Sequence, residues 1–221
     1  MIQSILCEGL HDIWFFDEIS QQTGLKPYKI HRDLSKYQEL VGKCSRFLME
    51  QEEKPLIILG DDGRDGLFGT YLKRAIKELV GKHSEDVSIV VIIDDDHKPF
   101  EKLIANTYKT LDELQRSSQY LKTVEINVDN NTFTITHPNN PYNVYVELYA
   151  IPDSLERLTV DYYYDINKPK KKEKGDIQQE VKSVATKYYN GDKEGMFRNY
   201  AIKCYNQNEE WVVSIISSIV S

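Results

Sequence analysis

Cysteine is scarce: Cys7, Cys44 and Cys204 are the only three in 221 residues, far apart and with no CxxC pair. That excludes a disulfide scaffold or a zinc ribbon and suits a reducing cytoplasm. No apolar run reaches the roughly 18 residues needed to span a bilayer, so no membrane partner is expected. The opening MIQSILCEGLHDIWFF is acidic where a secretory leader is basic, so no targeting segment is expected and a cytoplasmic location is. A basic surplus is missing as well: 28 Lys+Arg face 35 Asp+Glu, a formal net charge of −7. On bulk charge alone that disfavours nucleic acid, because phosphate attracts Lys and Arg. There is no internal repeat, no HExxH pair and no Gly-Lys-Ser/Thr ending of a phosphate loop. GDDGRDG (60–66) fails as a calcium loop, since the Glu required at its last position is Leu72.

What is present is an ordinary soluble composition, long enough for one large domain with a sizeable core. IQSILC (2–7) and LIILG (56–60) read as buried strands, and VSIVVII (87–93) is apolar on both faces, as in a parallel strand covered by helices. Between them lie helical patterns. LHDIWFFDEISQQ ends near Gly24, a C-cap residue, and LSKYQELVGKCSRFLMEQ follows Asp33 as N-cap. LFGTYLKRAIKELVGKH is amphipathic, and Pro99 marks the start of the next helix. PYKIH reads as a short strand. Strand–helix alternation to about residue 122 gives an α/β class with a central parallel, Rossmann-like sheet flanked by helices.

After residue 125 the pattern changes. VEINVDNNTFTITHP predicts a hairpin around Asp129-Asn130-Asn131, and YNVYVELYAI predicts a strand. DSLERLTVDYYYDI predicts a helix capped by Asp153, and the rest is helical after the charged loop KPKKKEKGD (168–176). The division is a core over 1–125 and a hairpin-plus-helical C-terminal extension over 126–221. The apolar terminal WVVSIISSIV predicts either docking on the body or a homodimer contact through this extension. Tyr162-Tyr163-Tyr164 beside the Lys run admits base stacking, with packing of the tyrosines as the plainer reading.

Nearly all of the acid excess falls in residues 1–97, and it clusters directly after strands: Glu8, then Asp61 and Asp62, then Asp94, Asp95 and Asp96. The carboxyl ends of parallel strands line one crevice, where ligands bind. Carboxylates brought together there repel one another unless a cation or protons intervene. Mg²⁺ (or Mn²⁺) is the fitting cation, held by a few carboxylates with positions left for phosphate oxygens. A single such Asp is more often a turn former or helix cap; three clusters favour a metal site. Alternation puts Asp94 and Asp96 on one side and Asp95 on the other, making Asp94/Asp96 the chelate. Asp12, in the first turn of the first helix, reads equally as a metal ligand or as a residue favoured by the helix dipole. Asp61 is a candidate for a second metal, with Glu8. Lys98 is a candidate for holding a scissile phosphate. His11 and His97 adjoin the acidic clusters as possible proton carriers. The five histidines form no metal-binding spacing and otherwise read as surface residues.

Ile5-Leu6-Cys7-Glu8-Gly9-Leu10-His11-Asp12 followed by Val91-Ile92-Ile93-Asp94-Asp95-Asp96 resembles the Toprim domain, over roughly residues 1–125. That domain is shared by topoisomerases, bacterial primases and nucleases of the OLD and related families. The Gly often found soon after the second motif is replaced by His97-Lys98-Pro99, which leans toward the standalone and OLD-like branch. The resemblance implies Glu8 as general acid/base or metal ligand, and Asp94 and Asp96 as Mg²⁺ ligands. The function it implies is Mg²⁺-dependent cleavage of DNA or RNA phosphodiesters by a nuclease-like protein. A non-catalytic metal-binding adaptor in a nucleic-acid-processing complex, such as one for DNA repair, is the alternative, and a phosphatase acting on nucleotides is a further one.

Overall fold

A computed structural model describes residues 2–33, 56–60, 63, 66–80, 85–95, 100–117, 121–123, 125–167 and 176–220. Among these residues seven strands form one sheet: β1 (Ile2–Cys7), β2 (Tyr28–His31), β3 (Leu56–Gly60), β4 (Val87–Asp94), β5 (Glu125–Asp129), β6 (Thr132–Thr136) and β7 (Asn143–Ile151). Their order is β2-β3-β1-β4-β7-β6-β5. The pairings from β2 through β7 are parallel, and β7–β6 and β6–β5 are antiparallel. The architecture is α/β with a mostly parallel, Rossmann-like sheet.

Among the described residues seven α-helices accompany it: α1 (Leu10–Gln22), α2 (Lys73–Leu79), α3 (Phe100–Ser117), α4 (Leu155–Asn167), α5 (Ile177–Tyr189), α6 (Lys193–Asn206) and α7 (Glu210–Val220). A π-helical segment, Leu67–Leu72, leads into α2. Alternate strand residues feed two apolar layers. Leu6, Leu59, Ile89 and Val91 pack under the π-helical segment, α2 and α3. Ile5, Ile58, Val90 and Ile92 pack under α1 and α4–α7. Every residue of β3 is buried, which explains its unbroken apolar run.

The local signals act as expected at several points. Gly24 has φ +84°, its N–H donates to Gln21 O at 3.0 Å, and the Leu25 N–H donates to Ser20 O at 2.9 Å. Those two bonds form a Schellman ending of α1. The hairpin forms over Asn130 and Asn131, with Asn130 left-handed at φ 51°. The helix after Asp33 and the Lys-rich loop at 168–175 lie outside the described residues.

The strands of the C-terminal extension join the sheet. β7 pairs with β4 along its length, from Val87↔Val144 to Asp94↔Ile151, and β6 and β5 extend the same sheet. β7 is buried at alternate positions and carries the sheet from β4 on one side to β6 on the other. The α4 cap is Ser154 rather than Asp153. Ser154 Oγ accepts from Arg157 N–H at 3.1 Å, while Asp153 Oδ1 only receives Ser154 N–H. The last helix, α7, docks on its own chain through Val212, Ile215 and Ile219. Among the described residues no helix is long and apolar enough to cross a membrane.

Candidate active site

β1 and β4 are parallel neighbours, paired from Ile2↔Val87 to Leu6↔Val91. Both therefore end at the same edge of the sheet. Glu8 leaves the end of β1 and Asp94 closes β4, and the two meet: Glu8 Oε1 accepts from Asp94 N–H at 3.3 Å. The turn after Glu8 is held on two sides. Asp12 Oδ2 accepts from Gly9 N–H at 2.8 Å, and the Glu8 carbonyl accepts from Gly63 N–H at 2.8 Å. The second bond brings Gly63, three residues after β3, against the Glu8 turn. Gly60 makes the approach possible. A Cβ there would stand 2.7 Å from Ile13 Cδ1 and 2.9 Å from Gly9 O.

Asp94 reaches further. Its Oδ1 accepts from Leu155 N–H at 3.2 Å, and Asp95 N–H donates to Ile151 O at 2.9 Å. These bonds hold the first turn of α4 to the end of β4, and with it Glu156. Glu156 Oε1 accepts from His11 Nδ1 at 2.7 Å. The donor is the ring nitrogen, because an ionised carboxylate only accepts. The His11 ring stacks on Phe197 of α6 at 4.3 Å and 10°.

Four carboxylates thus share one strand-end edge, and their electrostatics are unusual. Asp12 is pushed up to about 8, first by burial and then by Glu156 and Glu8. Asp94 is pushed up to about 9, again by burial first and then by Asp12, Glu8 and Glu156. Burial alone would raise Glu156 too, but the His11 hydrogen bond leads a set of contacts that hold it below its ordinary value. The buried Cys7 thiol beneath them is raised by burial, then by Asp12 and Glu8. These are the marks of a place short of positive charge.

Of the candidate residues, Glu8, Asp12 and Asp94 come together. Asp61, Asp62, Asp96, His97 and Lys98 lie outside the described residues. Asp12 is buried, 7% exposed, and its bond to Gly9 is half of a capping box, so one of its oxygens serves the turn. Among the described residues no three His, Cys, Asp or Glu side chains stand in ready ligating geometry. The carboxylate oxygens present are of the donor type a hard divalent cation takes, and Asp12 and Asp94 are each raised first by burial and then by acidic neighbours.

Glu156 is the residue that sequence reading missed. In DSLE it looks like an ordinary first-turn acid, and only the β4–β7 register brings it to the cluster. It stands five residues beyond Ile151, where β7 ends, so the strand-end signal that marks Glu8 and Asp94 does not mark it. Two histidines also depart from expectation. His11 is a half-buried bridge between helices, and His137 is buried, its Nδ1 accepting from Asn139 N–H at 3.2 Å. Tyr163 is buried, its hydroxyl meeting Tyr189 and Asn199, so at this position of the tyrosine run the packing reading holds.

Compared with family models, with curated proteins and with solved structures, the chain gives no match.

Proposed function

We propose that the protein is a divalent-cation-dependent phosphodiesterase of the Toprim type, of the standalone, OLD-like kind, cleaving DNA or RNA. One observation carries the reading. Glu8 and Asp94, distant in sequence, meet at the ends of adjacent parallel strands with the Glu8 carboxylate on the Asp94 N–H. The EG and DxD motifs after buried strands support it from the sequence side.

In this reading Asp94 and Asp96 hold Mg²⁺ or Mn²⁺, with Glu8 as a further ligand or as the group that takes a proton from the attacking water. Asp12 stands beside Glu8 and Asp94, Asp61 is the sequence candidate that would add a further carboxylate, and Lys98 would orient the scissile phosphate. A bound Mg²⁺ supplies charge stabilisation on the phosphate oxygens and a water of lowered pKa. The chain's own residues bind, orient and carry the proton. The negative edge is compatible with a nucleic-acid substrate, because the cation offsets carboxylate charge where the phosphate arrives.

The test is incubation of the purified protein with labelled DNA and RNA in Mg²⁺ or Mn²⁺, beside Glu8→Gln and Asp94→Asn. Cleavage that needs the cation and falls at least about 100-fold in both variants is expected, the scale of losing a proton-transfer group. Cleavage surviving both substitutions contradicts the assignment. Cation-dependent nucleic-acid binding without cleavage would turn the reading to an adaptor module.

A further inference from the structure

We propose that His11 is a positioning residue: seated on Phe197, it aims the Glu156 carboxylate at the strand-end cluster, so that residues after 126 complete the site. This rests on the cation-dependent reading above.

Three constraints converge on the imidazole. Its backbone belongs to the first turn of α1, which the Gly9–Asp12 bond fixes. Its ring plane is set by Phe197, a fully buried side chain of α6 lying nearly parallel to it. Trp14 closes another side at 5.4 Å, tilted by 46°. The remaining direction is the 2.7 Å bond from Nδ1 to Glu156. Both partners are mostly shielded, with side chains 17% and 19% exposed, so water competes poorly for the bond.

Glu156 needs such a partner. Its neighbour Leu155 is pinned to Asp94, so the Glu156 backbone cannot retreat from the cluster. Its carboxylate also meets Gln178 and its own backbone N–H, but the bond from His11 is the leading one. That donor opposes the push of the acidic neighbours Asp12 and Asp94. Donors that orient a ligating carboxylate change metal affinity by about 10–100-fold in general. The arrangement also gives the C-terminal segment a task. α4 supplies the fourth carboxylate and α6 supplies the platform for the residue that holds it.

Mn²⁺ binding by electron paramagnetic resonance on the full chain tests this, together with the melting temperature of each metal-free variant. His11→Phe keeps a ring on Phe197 and deletes the donor. His11→Asn places an amide N–H near the Nδ1 position. Glu156→Gln is the reference for losing the carboxylate. The expected result is Mn²⁺ affinity about tenfold weaker or more in His11→Phe, largely recovered in His11→Asn, with metal-free melting of His11→Phe close to wild type. Mn²⁺ affinity in His11→Phe equal to wild type, or His11→Asn binding no better than His11→Phe, overturns the inference and leaves the cation reading standing. A wild type that binds no Mn²⁺ overturns both.

Discussion

Helix α1 carries two buried aspartates with opposite surroundings. Asp17 is 1% exposed and sits between Lys29 and Arg198, at 2.6 Å and 2.5 Å. Burial pushes its carboxyl up, but hydrogen bonds from Lys29, Arg198 and Gln21 outweigh that, and it is held below its ordinary value. Asp12 is nearly as buried, and the charged groups that shift it are carboxylates: Glu156 and Glu8. Equal burial with opposite partners separates a structural ion pair from a site. Asp17 is complete within the chain. Its Arg198 partner also reaches Glu18 and Glu194, which ties α1 to α6. Asp12 and Asp94 are left short of positive charge at the edge where parallel strands end, as expected where a ligand supplies the missing charge.

The contrast can be broken hardest at Asp17. Asp17→Ala strips a buried partner from Arg198 and should cost about 3 kcal/mol or more, as breaking buried pairs does. Urea unfolding at neutral pH reads this, and a loss within error would mean that the Arg198 network carries no stability.

Asp12 predicts the opposite sign. A carboxyl whose folded pKa is raised stabilises the fold fully below its unfolded value, about 3.9, and that stability is lost as pH rises through the folded value of about 8. Metal-free protein should therefore lose a few kcal/mol between about pH 4 and pH 8, with Asp94 extending the decline toward about 9. Asp12→Asn keeps an acceptor for the Gly9 N–H and removes the charge, so its stability profile over that window should be flatter. A profile parallel to wild type would place the charge conflict elsewhere.

A smaller effect is expected at Gly60. Gly60→Ala forces a methyl against Ile13 and the Gly9 carbonyl, an overpacking cost of about 1–3 kcal/mol. Because the same contact sets the Glu8 turn, the variant should also weaken cation binding, which Gly→Ala at the open position Gly69 should not.

The strands were legible wherever an apolar run was apolar on both faces. VSIVVII becomes β4, and LIILG becomes β3, because burial on two sides leaves no polar positions to confuse the pattern. The meeting of Glu8 and Asp94 was legible for the same reason, since both follow such runs and parallel neighbours end together. Glu156 was not legible. Its place depends on β7 lying beside β4, a pairing across a hairpin that no local pattern encodes. His11 was hidden too, because its role is set by Phe197, at the far end of the chain in sequence and in contact only after folding. The choice of Ser154 over Asp153 as a cap was not legible because both residue types are equally good acceptors, and it follows from the helix beginning at Leu155.

In the proposed function the strand-end carboxylates bind a divalent cation. The most direct measurement is the melting temperature at about pH 8 with and without Mg²⁺, for the wild-type chain and for Asp94→Asn. Cation bound only by the folded state stabilises it by about 2.7 kcal/mol at a hundredfold excess over Kd. The account predicts a rise of several degrees in the wild type and little or none in Asp94→Asn. No Mg²⁺ effect on the wild type, or an equal effect on both proteins, would contradict it.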